Sequence, residues 1–138
     1  MRSSLTLVLS LSVILFGSLV GGGHARADGD PAKGLKVFNK CAICHSAGAA
    51  GGAQTGLDLT DVFGRRVAAA PNFDFSAALR AFGADGKTWD DALLARFLAD
   101  PGGVVPGTNM AFVGLKREDE TRHLIAFLKS LTPAAPGP

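Results

Sequence analysis

Two cysteines and the histidine that follows them form the most specific chemical motif in the chain. The motif reads Cys41-Ala42-Ile43-Cys44-His45, which is the C-x-x-C-H spacing of haem attachment. Thiols three positions apart on a helical turn can each form a thioether with one haem vinyl group, and the adjacent imidazole can bind the iron. The sequence therefore predicts one covalently bound haem c, attached through both cysteines, with His45 as an axial iron ligand.

Other uses of paired cysteines fit this chain less well. A thioredoxin-like motif would need a βαβ context, and no strand pattern precedes Cys41. A structural zinc site needs four ligands, but the only histidines besides His45 are His24 and His123. An exported protein could pair the two thiols as a disulfide, although the neighbouring His45 favours haem.

Met110 is the candidate for the second axial ligand of the iron. The chain has two methionines, and the other is the initiator. Met110 ends the loop segment Pro106-Gly107-Thr108-Asn109-Met110, far in sequence from His45. A thioether ligand favours ferrous iron and raises the reduction potential. The alternative is a methionine that only fills the core, but its isolation in a Pro/Gly loop favours ligation.

The first 27 residues have the features of a secretory signal. Arg2 gives a charged start, residues 5–20 are almost entirely apolar, a glycine run follows, and Ala25-Arg26-Ala27 fits a small-x-small cleavage site. We expect cleavage after Ala27 and a periplasmic mature protein. The alternative is an uncleaved membrane anchor, for which the apolar run is short.

The charge of the chain after the signal segment argues against nucleic acid as a partner. Arg2 and Arg26 lie in the signal while every acidic residue follows it, so the remaining chain has 12 basic and 12 acidic residues. A neutral domain without a basic face is a poor nucleic-acid binder. We expect redox-protein partners, no nucleic acid, and membrane contact only through partners or an uncleaved N-terminal segment.

Helix signals occur along residues 28–132, and no strand pattern is convincing. Asp30-Pro31 should open a first helix that leads into Cys41. A short helix is expected over 76–82. Thr88 should begin a helix with Trp89, Leu93 and Phe97 on one stripe, and Asp100-Pro101 should end it. The last helix should begin near Arg117. Residues 46–60 and 101–112 are predicted to be loops, and 133–138 a disordered tail.

These motifs, in this order, resemble the class I cytochromes c, particularly the soluble bacterial ones. The resemblance covers nearly the whole chain after the signal. It rests on Gly34 and Phe38, on Phe63-Gly64-Arg65, on Trp89, Leu94, Leu98 and Pro101, on the Pro106-Gly107-Thr108-Asn109-Met110 loop, and on Leu124-Ile125-Ala126-Phe127-Leu128.

The resemblance implies an all-α fold of several helices wrapped around one haem, with the first and last helices crossing near Gly34. Phe38, Leu124 and Phe127 would pack around that crossing. It also implies that Arg65 and Trp89 lie near the haem propionates. Trp89 could instead be only a core anchor, and Arg65 only a solvated surface charge. We expect His123, on the last helix, to face solvent.

The chain departs from the family pattern at several positions. Leu57 replaces a loop proline, although its carbonyl can still accept the His45 N–H. The chain has no tyrosine, so Phe97 and Phe75 stand where relatives often have tyrosines. The lysines of the docking face found in mitochondrial relatives are sparse here.

The leading functional prediction is a periplasmic single-haem electron carrier that is not an enzyme. One alternative is a dedicated haem subunit of a larger dehydrogenase or oxidase complex. A less favoured alternative is a haem enzyme or gas sensor in which Met110 is not a ligand. Such a protein should have acid–base groups beside Met110, where the sequence has Thr108, Asn109, Ala111 and Phe112.

Overall fold

The computed structural model describes residues 29–50 and 55–132. The predicted signal segment 1–27 and the predicted tail 133–138 lie outside the described residues. The helices, in chain order, are α1 (Pro31–Phe38), α2 (Ala77–Phe82), α3 (Asp91–Ala99), α4 (Pro101–Val104) and α5 (Glu118–Leu131). The described part has no β-strand, only two isolated bridges that join Ala47 to Ala50 and Arg66 to Thr88. The all-α prediction is confirmed.

Helix α1 begins where the sequence predicts and ends earlier than expected. The Asp30 carboxylate accepts hydrogen bonds from the N–H groups of Ala32 (2.8 Å) and Lys33 (3.2 Å), and Pro31 occupies the first turn. The helix ends at Phe38, and residues 39–44 continue as turns. The Cys41 N–H donates to the Phe38 carbonyl at 2.7 Å, an i−3 bond that tightens the chain just before the haem motif.

Helices α1 and α5 make the most extensive helix–helix contact in the described structure. A Cβ at Gly34 would lie 2.0 Å from the His123 carbonyl oxygen, so only glycine lets the helices approach this closely. The Phe38 and Phe127 rings pack with their centroids 5.4 Å apart, and Leu124 is buried beside them. The predicted crossing near Gly34 is confirmed.

The prediction that His123 faces solvent is wrong. His123 is half-buried, and its Nδ1 accepts the Asp30 backbone N–H at 2.8 Å. Sequence periodicity places His123 beside the apolar face of α5, but it could not reveal that the start of α1 returns to this position. The side chain therefore helps to fasten the two helices together.

Helix α3 begins later than predicted because Trp89 belongs to another hydrogen-bonding arrangement. The Trp89 N–H donates to the Arg65 carbonyl, and its own carbonyl accepts from Gly64, both at 2.9 Å. These bonds keep Trp89 outside the helix, and Asp90 rather than Thr88 caps the helix by accepting the Leu93 N–H at 2.8 Å. Leu93 and Phe97 remain on the buried side of α3.

The segment after α3 is only partly a loop. Asp100 ends α3 and also caps α4, where its carboxylate accepts the Gly103 N–H at 3.0 Å. Proline fits the first helical turn because its missing N–H has no partner there, so Pro101 begins one more turn of helix.

Helix α5 begins at Glu118 directly after Arg117, as predicted. No helix within the described ranges combines the length and apolarity needed to cross a membrane.

Candidate haem site

The helices and loops enclose one large cavity of about 510 Å³. Cys41, Cys44, His45 and Met110 all line it, although the motif and the methionine are far apart in sequence. Its apolar wall comes from six segments of the chain and includes Phe38, Leu59, Val62, Leu79, Leu94, Phe97, Phe112 and Leu128. Cofactor sites commonly have volumes of ~300–1,000 Å³ and mostly apolar walls. The donor set and the cavity therefore fit a covalently held haem.

The two cysteines lie on the turns that follow α1. Cys41 is half-buried and Cys44 is exposed, and the two are not joined by a disulfide. Burial raises the pKa of the Cys41 thiol above its ordinary value. The N–H groups of Cys44 and His45 both donate to the Cys41 carbonyl, at 3.0 and 2.8 Å, so the motif forms one tight turn that presents both sulfur atoms to the cavity.

The orientation of His45 is set by a backbone carbonyl. Its Nδ1 lies 2.6 Å from the Leu57 oxygen. A carbonyl oxygen can only accept, so Nδ1 carries the proton and Nε2 keeps its free lone pair. The expectation that leucine at 57 preserves this hydrogen bond is confirmed.

Hydrogen bonds on both sides of His45 attach the Leu57 segment to the motif. The Gly56 N–H donates to the Cys44 carbonyl, and the Leu59 N–H donates to the Ser46 carbonyl, both at 2.8 Å. The Ser46 hydroxyl also donates to the Asp58 carboxylate. Although burial opposes ionisation, hydrogen bonds from Ser46 and Thr60 help to hold the pKa of Asp58 below its ordinary value.

Met110 reaches the cavity from the segment between α4 and α5. Its backbone N–H donates to the Thr108 hydroxyl at 3.3 Å, and its carbonyl accepts from the Phe112 N–H at 3.0 Å. Gly107 turns the chain with a φ of 89°, a conformation that favours glycine. The side chain is half-buried.

Trp89 and the two phenylalanines that replace tyrosines also line the cavity. Trp89 is buried, and its ring centroid lies 5.0 Å from that of Phe97. Phe75 is buried and packs edge-on against Phe73 at 4.8 Å. The cavity therefore has aromatic walls without a phenol hydroxyl.

Arg65 lies behind the cavity wall and is not among the described residues that line the cavity. Its guanidinium bonds to the Asp61 carboxylate at 3.1 Å and to the Asp58 carbonyl at 3.5 Å. Its backbone pairs with that of Trp89, which does line the cavity. Contact of Arg65 and Trp89 with haem propionates stays a prediction.

Two features of the site were not predicted from the sequence. Gly56 packs directly against the His45 ring, but in the sequence it was one of several glycines in a loop. Lys40, at the cavity edge, forms an ion pair with Glu120 of α5 at 2.7 Å. Within the described residues, no three His, Cys, Asp or Glu side chains are grouped as a metal site, so the zinc alternative gains no support.

Comparison with known proteins decides the family. The family model for cytochrome c matches residues 31–132. The chain belongs to the cytochrome c family. Cytochrome c2 of Rhodomicrobium vannielii is 41% identical over 111 residues, covering 80% of this chain and 86% of the relative. Cytochrome c-554 of Methylosinus trichosporium is 38% identical over 128 residues, covering 93% and 92%.

Solved structures agree with this assignment. Cytochrome c2 from Rhodospirillum centenum matches with a TM-score of 0.70 and 34% identity, over 76% of this chain and all of the other. The fold is that of a class I cytochrome c, and the resemblance inferred from sequence is confirmed. As a member of this family the protein carries one covalent haem c, and Cys41 and Cys44 fit its attachment motif.

Proposed function

We propose that this cytochrome is a periplasmic electron carrier that shuttles single electrons between redox proteins, with His45 and Met110 as its iron ligands. The haem supplies reversible one-electron chemistry. One observation carries the proposal: both cysteines, His45 and Met110 lie on one cavity with an apolar wall. These are the residues needed to attach the group and to fill both axial positions.

The chain's own residues would hold the group and exclude water. The Leu57 carbonyl keeps Nε2 of His45 available for the iron. The buried walls, including Leu94, Phe97 and Leu98, give the low-dielectric setting that tunes a haem potential. We assign Trp89 and Arg65 to the propionate side of the group, because their backbones are paired and a buried carboxylate needs a partner.

An open-site haem enzyme is the less favoured function. Such an enzyme needs acid–base groups at the open position. The cavity residues beside Met110 are Thr108, Asn109, Ala111 and Phe112, and none of these has a titrating side chain. The acidic cavity residue Asp74 is exposed and ion-paired with Arg80 at 3.0 Å. We therefore propose no bond chemistry on a substrate.

One spectroscopic experiment tests the proposal. The purified protein should show a single c-type haem whose reduced spectrum does not change when carbon monoxide is added, because both axial positions are filled. The ferric form should show the charge-transfer band of methionine-ligated iron. A prompt spectral change with carbon monoxide would contradict the closed His/Met site and favour the open-site alternative.

Export is part of the proposal and has its own test. Residues 1–27 have the pattern of a secretory signal with cleavage after Ala27. N-terminal sequencing of the mature protein should begin at Asp28, and the haem protein should fractionate with the periplasm. Stable co-purification with a dehydrogenase or oxidase complex would favour a dedicated subunit over a carrier that moves between partners.

A further inference from the structure

Gly56 is glycine for a reason of space. A Cβ built on Gly56 would lie 2.8 Å from both Nδ1 and Cε1 of the His45 ring and 2.9 Å from the Cys44 carbonyl oxygen. No positive φ is recorded for Gly56, unlike Gly64 or Gly107. Its backbone conformation is therefore open to other residues, and the position excludes a side chain because the imidazole lies against the bare Cα.

The contact is on the same ring edge that Leu57 holds by a hydrogen bond. The Leu57 oxygen lies 2.6 Å from Nδ1, and the Gly56 Cα packs against Nδ1 and Cε1. Two successive residues thus fix one edge of the imidazole, one by a directional hydrogen bond and one by van der Waals contact. A rotation of the ring about its Cβ–Cγ bond would break the first or compress the second.

The backbone that carries these contacts is itself fixed to the haem motif. Gly56 donates to Cys44 and Leu59 donates to Ser46, so the segment is attached on both sides of His45. Proline would restrict φ to about −65° at position 57, but leucine leaves that angle free. In this chain the packing of Gly56 against the ring is therefore a second constraint beside the Leu57 hydrogen bond.

We propose that Gly56 is a positioning residue for the axial ligand: its bare Cα sets the plane of the His45 imidazole and thereby the electronic structure of the haem iron. The proposal rests on the proposed function, in which His45 binds the iron. Gly56 lines the cavity beside His45, and the role assigned to it is exerted through the ring against which it lies. A side chain at position 56 would turn or displace the imidazole and strain the hydrogen bond to Leu57.

The first test uses the wild-type holoprotein and needs no variant. In the diamagnetic ferrous form, the α protons of Gly56 should show a nuclear Overhauser effect to the Hε1 proton of the His45 ring, because Cε1 faces the Gly56 Cα. Absence of that effect, with both resonances assigned, would overturn the proposal.

The second test compares two glycine variants. In ferric Gly56→Ala, the four haem-methyl resonances should shift and change their spacing, since their paramagnetic shifts follow the plane of the axial imidazole. The Nδ1 proton of His45 should also exchange faster with solvent. Gly102→Ala is the matched control, because a Cβ there meets nothing within 4 Å, and its methyl resonances should stay at wild-type positions.

The outcomes separate this inference from the proposed function. A wild-type protein whose haem is not ligated by histidine would defeat the proposed function itself. A wild-type His/Met haem together with Gly56→Ala that is less stable but keeps the wild-type methyl pattern would overturn only the role of Gly56. That result would mean the glycine packs without orienting the ligand.

Discussion

Single side chains around the cavity are held to different degrees. The His45 ring is fixed by the Leu57 carbonyl and the bare Gly56 backbone. The Met110 backbone is tied within its own loop to Thr108, and Phe97, which also lines the cavity, has no hydroxyl to offer its sulfur. We expect the two axial ligands to respond differently to change, with the histidine side rigid and the methionine side adjustable.

Met110→Ala should open the sixth coordination position of the iron and lower the reduction potential. Loss of the thioether removes the ligand that favours ferrous iron, and axial ligands move haem potentials over about 0.8 V across proteins. Redox titration and carbon monoxide binding measure the two effects. Val113→Ala is the control, because Val113 is close in sequence but exposed. Resistance to carbon monoxide and an unchanged potential in Met110→Ala would rule out ligation.

Phe97→Tyr should raise the potential if its hydroxyl points at the Met110 sulfur. A hydrogen bond to sulfur weakens its donation to ferric iron and so favours the ferrous state. The close packing of Phe97 against Trp89 keeps the substituted ring in place. Phe82→Tyr, outside the described cavity lining, should leave the potential unchanged. A lower potential with the hydroxyl shown to bind the sulfur would contradict the argument.

At the scale of the helices, the packing of α1 on α5 depends on a close backbone approach. Gly34 lies against the His123 carbonyl, and the His123 side chain accepts the Asp30 N–H. The same pair of helices supplies Phe38, Leu124 and Leu128 to the cavity wall. Stability of the crossing and shape of the haem site are therefore linked.

Gly34→Ala should destabilise the holoprotein by about 3 kcal/mol, the upper end of the usual cost of overpacking. The added Cβ would meet the His123 carbonyl at 2.0 Å, and a backbone atom in a helix cannot move aside easily. Gly102→Ala should stay within about 1 kcal/mol of wild type, since its Cβ enters open space and alanine favours helix. Denaturant unfolding measures both, and equal stabilities would show that the crossing can open at little cost.

The Met-bearing segment should resist lysine replacement at high pH. Residues 101–112 contain no lysine. The Lys87 ammonium binds the Asp85 carboxylate at 2.7 Å and lies over the Phe82 ring, and Lys116 binds the Ala99 carbonyl. A lysine nitrogen binds iron only after it has lost its proton, and either residue would also have to leave these contacts.

The ferric methionine band should therefore persist to higher pH than in relatives with a lysine in this loop, and hydroxide should replace methionine when the band is lost. An alkaline titration of the band, with magnetic resonance to identify the new ligand, checks this expectation. Early conversion to a lysine-ligated form that Lys116→Ala abolishes would contradict it.

Over the whole described structure, opposite charges are interspersed, and about half of the basic residues form ion pairs. The described residues form six ion pairs. Lys40, Lys116 and Arg117 line one surface recess and would form a positive rim there, but Lys40 is paired with Glu120 and Arg117 with Asp119. The Arg117 guanidinium lowers the pKa of Asp119 to about 2, so this pair stays charged at neutral pH. Lys116 is the remaining cation of the rim.

Electron transfer with the natural partner should depend only weakly on ionic strength. Charge steering fades over a Debye length of about 10 Å at 0.1 M salt, and a surface of local pairs creates little field beyond that range. Stopped-flow rates over a series of salt concentrations measure the dependence. A steep fall in rate with added salt would contradict this expectation and would indicate a strongly charged docking face.

Local sequence determined the chemistry and most helix ends. The C-x-x-C-H motif, the lone loop methionine, the cap at Asp30 and the helix start after Arg117 depend on residues a few positions apart, so the local sequence carried these predictions. Hydrogen bonds between segments that are distant in sequence could not be predicted in this way. Trp89 failed as a helical residue because its backbone pairs with Arg65, and that bond outweighs the capping pattern.

Tertiary structure alone decided which groups meet across the chain. His123 reaches Asp30, Arg65 turns to Asp61 behind the cavity wall, and Gly56 lies against His45. Periodicity reports which face of a helix is apolar, but it carries no information about which backbone returns to that face. The resemblance to a family supplied the helix crossing and the hydrogen bond from His45 to the Leu57 carbonyl, whereas the contact of Gly56 with the ring depends on atoms that only the fold brings together.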